Sequence, residues 1–263
     1  MIDSIVRNAR MYIASQKYKL RSFFTYRTQA IIWIIAFILS STYQIVVATL
    51  IYANSKGISG WSYYQVLALG GLSNIFFGFM FFTLSPRSLG RLMRNGQLDQ
   101  VLVKPYNPVL MLLSITGSVP SIGFTITGIV TLAYALVMAH ISFFSLLPML
   151  TMFILGTLDI ILFELVITLS AYVAFRSTNF VQWIMNIGKN ASSYPLTVYG
   201  VAGFALLSVC IPVGLATFFP AEEMFGKFSI GKFFGFITFE IIAAYAYYKI
   251  SSLLITKYSS GGG

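Results

Sequence analysis

The sequence predicts an all-α membrane protein with six transmembrane helices. Three observations support this prediction. The 263 residues are 57% hydrophobic and only 9% charged. The chain contains six long apolar stretches, and the basic residues are concentrated in alternate segments between them. Soluble domains carry about 25% charged residues, and about 20 apolar residues suffice for a helix to cross a bilayer core. The composition therefore excludes an ordinary soluble enzyme or binding domain.

An amphipathic segment, residues 1–28, precedes the first apolar stretch. Its apolar residues recur on one helical face, and basic residues flank that face. These basic residues are Arg7, Arg10, Lys17 and Arg21. The pattern predicts an interfacial helix whose basic side chains extend toward lipid headgroups. Two roles remain open for this helix, a simple topology anchor and a mechanical element.

The six apolar stretches define the predicted spans. In chain order they are residues 30–52, 64–84, 112–139, 143–175, 194–219 and 232–255. With the amino terminus inside, 14 of the 17 Lys and Arg residues lie in inner segments. Because basic residues concentrate in short cytoplasmic loops, we expect both termini on the cytoplasmic side of the cell membrane.

The formal net charge of +10 does not indicate a nucleic-acid partner. The basic residues lie beside the spans, where anionic lipid headgroups are the natural partners. The lone cysteine, Cys210, can form no disulfide within the chain. We therefore expect a single membrane domain over residues 1–258, followed by a flexible Ser- and Gly-rich tail at 259–263.

Between the second and third spans lies an inner loop, residues 85–108, that mixes apolar and polar residues. Its apolar positions are Leu98, Val101 and Leu102. Asp99 and Lys104 occupy the intervening exposed positions, and Pro105 ends the segment. The spacing predicts a short amphipathic helix parallel to the membrane, with an apolar face that can enter a groove on another protein.

The third predicted span carries a stripe of small and hydroxyl residues at spacings of three and four. They are Ser114, Ser118, Ser121, Thr125 and Gly128. Such a stripe permits close packing of helices in lipid, and it could also line a polar path. Both interpretations remain open.

Prolines mark the region between the fifth and sixth spans. Pro195 begins the fifth span, Pro212 lies inside it, and Pro220 follows. A proline at membrane depth breaks or kinks a helix and is tolerated only where protein or water satisfies the backbone. We therefore predict a re-entrant hairpin over residues 211–230 near the outer face, with these three prolines as hinges.

Three acidic residues lie within predicted spans: Asp159 and Glu164 in the fourth, and Glu240 in the sixth. Ionisable groups in hydrocarbon normally face a partner or a water-filled cavity. The spacing of five places Asp159 and Glu164 on different faces of their helix, while Thr168 lies one turn beyond Glu164, within hydrogen-bonding reach of its side chain. Structural pairing and a position on a substrate path are both open for these acids.

No catalytic site is evident, and we expect no enzymatic activity, no metal site and no catalytic residue in this chain. It contains one histidine, one cysteine and seven acidic residues, too few for a metal site or a nucleophile with its base. Residues 226–233 match the spacing of a phosphate-binding loop, but Phe233 replaces the Ser or Thr that holds magnesium. The match also lies between two spans, so we interpret it as chance.

Several strings together resemble the permease subunits of ABC transporters of the type-2 exporter class. They are Gly96-x-Leu98-Asp99-x-x-Leu102-x-Lys104-Pro105, Tyr194-Pro195 at the fifth span, and Ile211-Pro212 with Pro220 before the sixth. The resemblance covers nearly the whole chain, including an inner interfacial helix, a cytoplasmic coupling helix and a hairpin between the last two spans.

The resemblance implies half of an exporter that pairs with a second permease, identical or related, and with two separate ATP-binding subunits. ATP and magnesium would be bound by those partners and not by this chain. The residues implied in coupling to the ATPase are Arg91, Gly96, Leu98, Asp99, Leu102, Lys104 and Pro105. The alternative is a proton-coupled secondary transporter that uses the three acids. That class often has inverted repeats, and none is evident in this sequence.

Overall fold

The computed structural model describes residues 2–55, 57–58, 60–175, 177–226 and 229–258. All regular secondary structure in these ranges is helical, which confirms the all-α prediction. The predicted tail at 259–263 lies outside the described residues. The first seven α-helices are α1 (Ile2–Thr25), α2 (Arg27–Asn54), α3 (Tyr63–Thr83), α4 (Pro86–Arg94), α5 (Gln97–Leu102), α6 (Pro108–Ile115) and α7 (Ile122–Met138).

The second half of the chain contains two long helices separated by several short ones. Its α-helices are α8 (Phe143–Phe175), α9 (Asn179–Ser192), α10 (Gly200–Ala205), α11 (Val213–Ala216), α12 (Phe218–Met224) and α13 (Ile230–Thr256). Short 3-10 helices occupy Val119–Ser121 and Leu196–Tyr199, and a π-helix occupies Leu206–Cys210.

Five helical segments in the described chain are long and apolar enough to cross a membrane. They are Arg27–Asn54, Tyr63–Arg94, Val119–Met138, Phe143–Phe175 and Ile230–Thr256. A sixth exists if Asn179–Ser192 and Leu196–Cys210, which meet at an angle of 113°, form one span. The structure thus agrees with a multi-pass membrane protein of five or six spans.

Helix α3 lies at the centre of the bundle. In the most apolar part of the segment that includes α3, 72% of the residues are buried, against 17% for α2 and 11% for α13. α3 packs most extensively along α7, and α13 packs along α8. The exposed apolar surfaces of α2 and α13 are what a bilayer or a neighbouring membrane subunit would cover.

The third span differs from the prediction of one helix over residues 112–139. Its helical part begins at Pro108 and is interrupted between α6 and Val119. Pro120 explains the break, because proline has no N–H and its ring clashes with the carbonyl four residues earlier. Backbone groups near the break are satisfied instead by α3: the Ser118 N–H donates to the Phe81 carbonyl at 2.8 Å.

Part of the small-residue stripe of the third span packs against α3. The Ser121 hydroxyl donates to the Gly78 carbonyl at 3.0 Å. A Cβ atom added at Gly128 would lie 2.7 Å from the carbonyl oxygen of Gly71 and from the Ile75 nitrogen, so α3 and α7 touch there through their backbones. Ser118 differs from these residues, because it borders two cavities.

The fifth predicted span, residues 194–219, is not one helix. Helix α9 precedes it and was not predicted, because polar residues, among them Gln182, Asn186 and Lys189, interrupt its apolar sequence. Pro195 lies between α9 and the following 3-10 helix, at the 113° bend. The chain then continues through α10 and the π-helix to Ile211, where the helix ends before Pro212. Pro195 and Pro212 thus lie at helix ends.

The segment 211–230 forms two short helices, α11 and α12, that pack against α8. Pro220 was predicted to act as a hinge, but it does not interrupt a helix. It is the third residue of α12, and residues in the first turn of a helix have no intrahelical acceptor for an N–H in any case. Residues 227–228 of the predicted hairpin lie outside the described residues, and its re-entrant position in the membrane remains a prediction.

Candidate functional site

The loop between the second and third spans folds into the two short helices α4 and α5. Proline at the first position of α4 suits a helix start, because its φ angle is already helical and its missing N–H is not needed there. Gly96 joins the helices with a φ of 66°, a left-handed conformation that glycine adopts without steric cost. The predicted short amphipathic helix is therefore present, with a second helix before it.

The apolar side of this loop faces the inside of the same chain. Leu89, Met93 and Leu98 are completely buried, and Leu102 is half-buried. Such side chains contribute about 1.5–3 kcal/mol each on burial. The interpretation of Leu98 as a residue that enters a partner's groove needs correction, because its side chain fixes the loop to the bundle and does not reach the surface.

The outer side of the loop is polar and mainly basic. Its exposed residues include Arg91, Arg94, Asp99, Lys104 and Pro105. A partner that contacts this loop would meet these groups. We call these five exposed residues the outer coupling surface, where outer means facing away from the helix bundle. Their role in coupling remains a prediction.

The carboxyl-terminal end of the described chain holds α4 in place. The Tyr258 hydroxyl donates to the Met93 carbonyl at 3.1 Å, and the Tyr258 ring lies 6.1 Å from the Tyr172 ring of α8. A long-range connection therefore joins α4, α8 and the end of α13.

Asn107 connects three helices at the other end of the loop. Its side-chain oxygen accepts from the Leu110 N–H at 3.1 Å and caps α6, while its amide group donates to the Tyr248 hydroxyl of α13 at 2.6 Å. The Asn107 N–H donates to the side-chain oxygen of Asn8 in α1 at 2.9 Å. Sequence reasoning missed this residue, although an Asn directly before a Pro is a typical helix start.

Lys19 connects α1 to the end of α3. Its ammonium group donates to the Phe82 carbonyl at 3.1 Å and lies 5.0 Å from the centre of the Phe82 ring. Cations stabilise helix carboxyl termini, where carbonyl groups lack intrahelical donors. Burial lowers the pKa of Lys19 to about 8. The amino-terminal helix therefore packs against the bundle next to the loop that contains α4 and α5.

Two of the three acids within the spans form a pair. Asp159 of α8 and Glu240 of α13 are each 1% exposed, and their carboxyl groups lie within hydrogen-bonding reach of each other. No hydrogen bond to any of these four carboxyl oxygens is seen in the described chain. Since a carboxylate has no donor, a hydrogen bond between the two groups requires a proton on one of them. The geometry favours the structural interpretation, a pair that joins α8 to α13.

Glu164 stands apart from this pair. Its side chain is completely buried, and neither carboxyl oxygen has a hydrogen-bond partner among the described residues. The Thr168 hydroxyl donates to the backbone carbonyl of Glu164 at 2.6 Å and not to its carboxyl group, contrary to the bond proposed from the sequence. A buried carboxyl without a partner is far more stable in its neutral form.

The described cavities do not support a route along the acids. Four prominent cavities among the described residues are lined by other side chains and not by Asp159, Glu164 or Glu240. Within the same residues, no group of three His, Cys, Asp or Glu side chains could hold a metal ion.

Comparison with protein families gives a match that covers most of the chain. Residues 37–262 match the family described as ABC-2 family transporter protein, and the chain therefore belongs to this family. It is a membrane permease of an ABC transporter. No curated protein and no solved structure matches the chain.

Proposed function

We propose that this permease forms half of the translocation path of an ATP-driven exporter and receives its drive from two separate ATP-binding subunits. ATP and magnesium are bound by those subunits. The observation that carries the proposal is the loop of α4 and α5, which is buried and tied down on one side and presents the outer coupling surface on the other.

The anchoring of the loop supports its role in transmitting motion. A displacement imposed on α4 reaches α8 and α13 through the Tyr258 contacts, and the loop's exit is joined to α1 and α13 through Asn107. A loosely attached loop would absorb such a displacement. Because these connections are short hydrogen bonds and packed rings, the spans move with the loop.

The exposed apolar surfaces support the remaining parts of the proposal. α2 and α13 present long apolar faces that lipid and a second permease, identical or related, would cover. The excess of basic residues beside the inner ends of the spans supports a cytoplasmic location for both termini. The outer coupling surface then lies on the side where ATP is available.

Charge reversal on the outer coupling surface tests the proposal. Lys104→Glu and Asp99→Lys change exposed groups of the loop, so we expect both variants to fold but to lose most of the co-purifying ATP-binding subunit. Lys232→Glu is the matched control, because Lys232 is exposed near the start of α13, at the opposite end of this helix from the residues that contact the loop. Unchanged co-purification in both loop variants would contradict the coupling role.

The same preparations test where ATP is hydrolysed. The permease purified alone is expected to show no ATP hydrolysis, and activity should appear only with the ATP-binding subunits. Hydrolysis by the purified permease itself would contradict the proposal.

A further inference from the structure

A cavity of about 430 Å³ opens beside the coupling loop, and the proposed function does not use it. It lies between α2, the end of α3, the start of α4, the break before α7, and α9. Its main polar lining consists of Ser85, Arg87, Ser88, Gln182, Asn186 and Lys189. No acidic side chain lines the cavity.

Lys189 is the unusual member of this lining. The residue is only 7% exposed, yet its ammonium group has neither a hydrogen bond nor an ion pair within the described chain. Its one recorded contact is with the face of Phe124, at 3.6 Å from the ring centre. A cation–π contact offsets only part of the cost of burying a charge, and buried charges are normally paired. An anion in the cavity would therefore pair with this ammonium group.

The start of α4 adds two kinds of anion-binding group to the same cavity. The Arg87 side chain is exposed and lines the cavity. The N–H groups of Arg87 and Ser88 belong to the first turn of the nine-residue helix, where no intrahelical acceptor exists. The side chain of Ser85 forms no capping bond that would occupy these donors. Helix amino termini of this kind favour phosphate groups.

Three aromatic rings complete the wall next to these cations. They belong to Phe37, Phe81 and Phe124. On the α2 side, Trp33 lies one turn before Phe37 and is exposed and apolar. The cavity thus combines two cations and free N–H donors with an apolar boundary that continues onto the surface of α2.

We propose that this cavity binds the phosphate group of an anionic amphiphile, with Lys189 and Arg87 on the phosphate and the acyl chains along α2. A free phosphate ion shares the headgroup chemistry but would leave the aromatic wall unused. Because binding needs only the permease, the proposal stands or falls independently of ATP coupling.

Lipid binding by the purified full-length chain tests the proposal. Native mass spectrometry of the detergent-solubilised protein should show retention of dioleoyl phosphatidylglycerol over dioleoyl phosphatidylcholine. Arg87→Gln and Lys189→Gln should each weaken phosphatidylglycerol binding about tenfold, since each removes a charge-assisted contact. Lys249→Gln is the matched control, because it removes one exposed charge from α13 and should leave binding unchanged.

The outcomes separate the two sources of the phosphate group. If inorganic phosphate binds weakly and does not displace phosphatidylglycerol, the site is specific for the lipid headgroup. If inorganic phosphate displaces the lipid and this displacement depends on Arg87, the site binds free phosphate as well. Equal retention of both lipids, or an equal loss in Lys249→Gln and Arg87→Gln, would overturn the proposal. If Lys189→Gln does not fold, Arg87→Gln decides, and Lys189→Arg should preserve binding.

Discussion

Burial of Asp159 and Glu240 at the contact of α8 with α13 makes the stability of the bundle depend on two ionisable residues. The two carboxyl groups face each other and have no other polar partner in the described chain, so loss of one leaves the other buried alone. The penalty for such an unsatisfied group is about 1–3 kcal/mol.

Substitution of Glu240 distinguishes a structural pair from a residue of the transport path. Glu240→Met should lower the thermal stability of the purified chain, because Asp159 loses its partner. Glu240→Gln should cost less, because the amide still donates to the Asp159 carboxylate. Equal destabilisation by both variants would contradict the pairing, and loss of transport with unchanged stability in Glu240→Gln would favour the path.

Lys19 should make stability depend on pH in a defined direction. Burial lowers its pKa to about 8 in the folded chain, from an ordinary value of 10.5. Between these values the unfolded chain binds more protons than the folded chain, so stability rises with pH. We expect the midpoint of thermal unfolding to rise between pH 8 and pH 10 in the wild type relative to Lys19→Gln. Parallel pH curves for the two proteins would refute this effect.

The structural roles of some residues could be predicted from the sequence, and those of others could not. The cost of burying a carboxyl group made Asp159, Glu164 and Glu240 visible, but the pairing of two of them depends on how α8 and α13 align. The φ angle of Gly96 and the helix end near Pro105 agree with local sequence preferences. Asn107 and Lys189 were not selected, because their importance comes from contacts with distant segments.

At the scale of elements, the most extensive helix contact is the one between α3 and α7. Gly128 has no room for a side chain, because an added Cβ would meet backbone atoms of Gly71 and Ile75. Backbone atoms cannot move aside as a flexible side chain can, and overpacking of this kind costs about 1–3 kcal/mol.

A pair of alanine substitutions tests this packing. Gly128→Ala should lower the thermal stability of the solubilised chain. Gly235→Ala, in α13, is the matched control, since no atom lies within 4 Å of its added Cβ. In a helix interior that change should be neutral or stabilise by up to about 1 kcal/mol, because alanine has the higher helix propensity. Destabilisation of similar size in both variants would count against close backbone packing.

Long apolar stretches in the sequence predicted the positions of the helices well. Prolines, and segments that mix apolar and polar residues, predicted them poorly. α2, α3, α8 and α13 lie close to their predicted ranges, because length and hydropathy alone determine such helices. Pro120 was inside a predicted helix and interrupts it, whereas Pro220 was a predicted hinge and lies within α12. The effect of a proline depends on its place in the helix, which hydropathy does not define.

The whole molecule consists of a buried centre around α3 and two exposed apolar flanks, α2 and α13. The basic loop of α4 and α5 and the ends of α1 and α13 are joined by contacts at one end of this bundle. The family assignment and the apolar helices agree with a permease in a membrane. The sequence predicted this class, but which side of the loop faces outward required the packing of the folded chain.

The location of Asp99 tests the central claim of a permease driven from the cytoplasm. In a chain with Cys210→Ser, Asp99→Cys provides one thiol on the outer coupling surface. A membrane-impermeant maleimide should label it in inverted vesicles and not in intact cells, and bound ATP-binding subunits should slow the labelling. Rapid labelling of Asp99→Cys in intact cells would contradict the account.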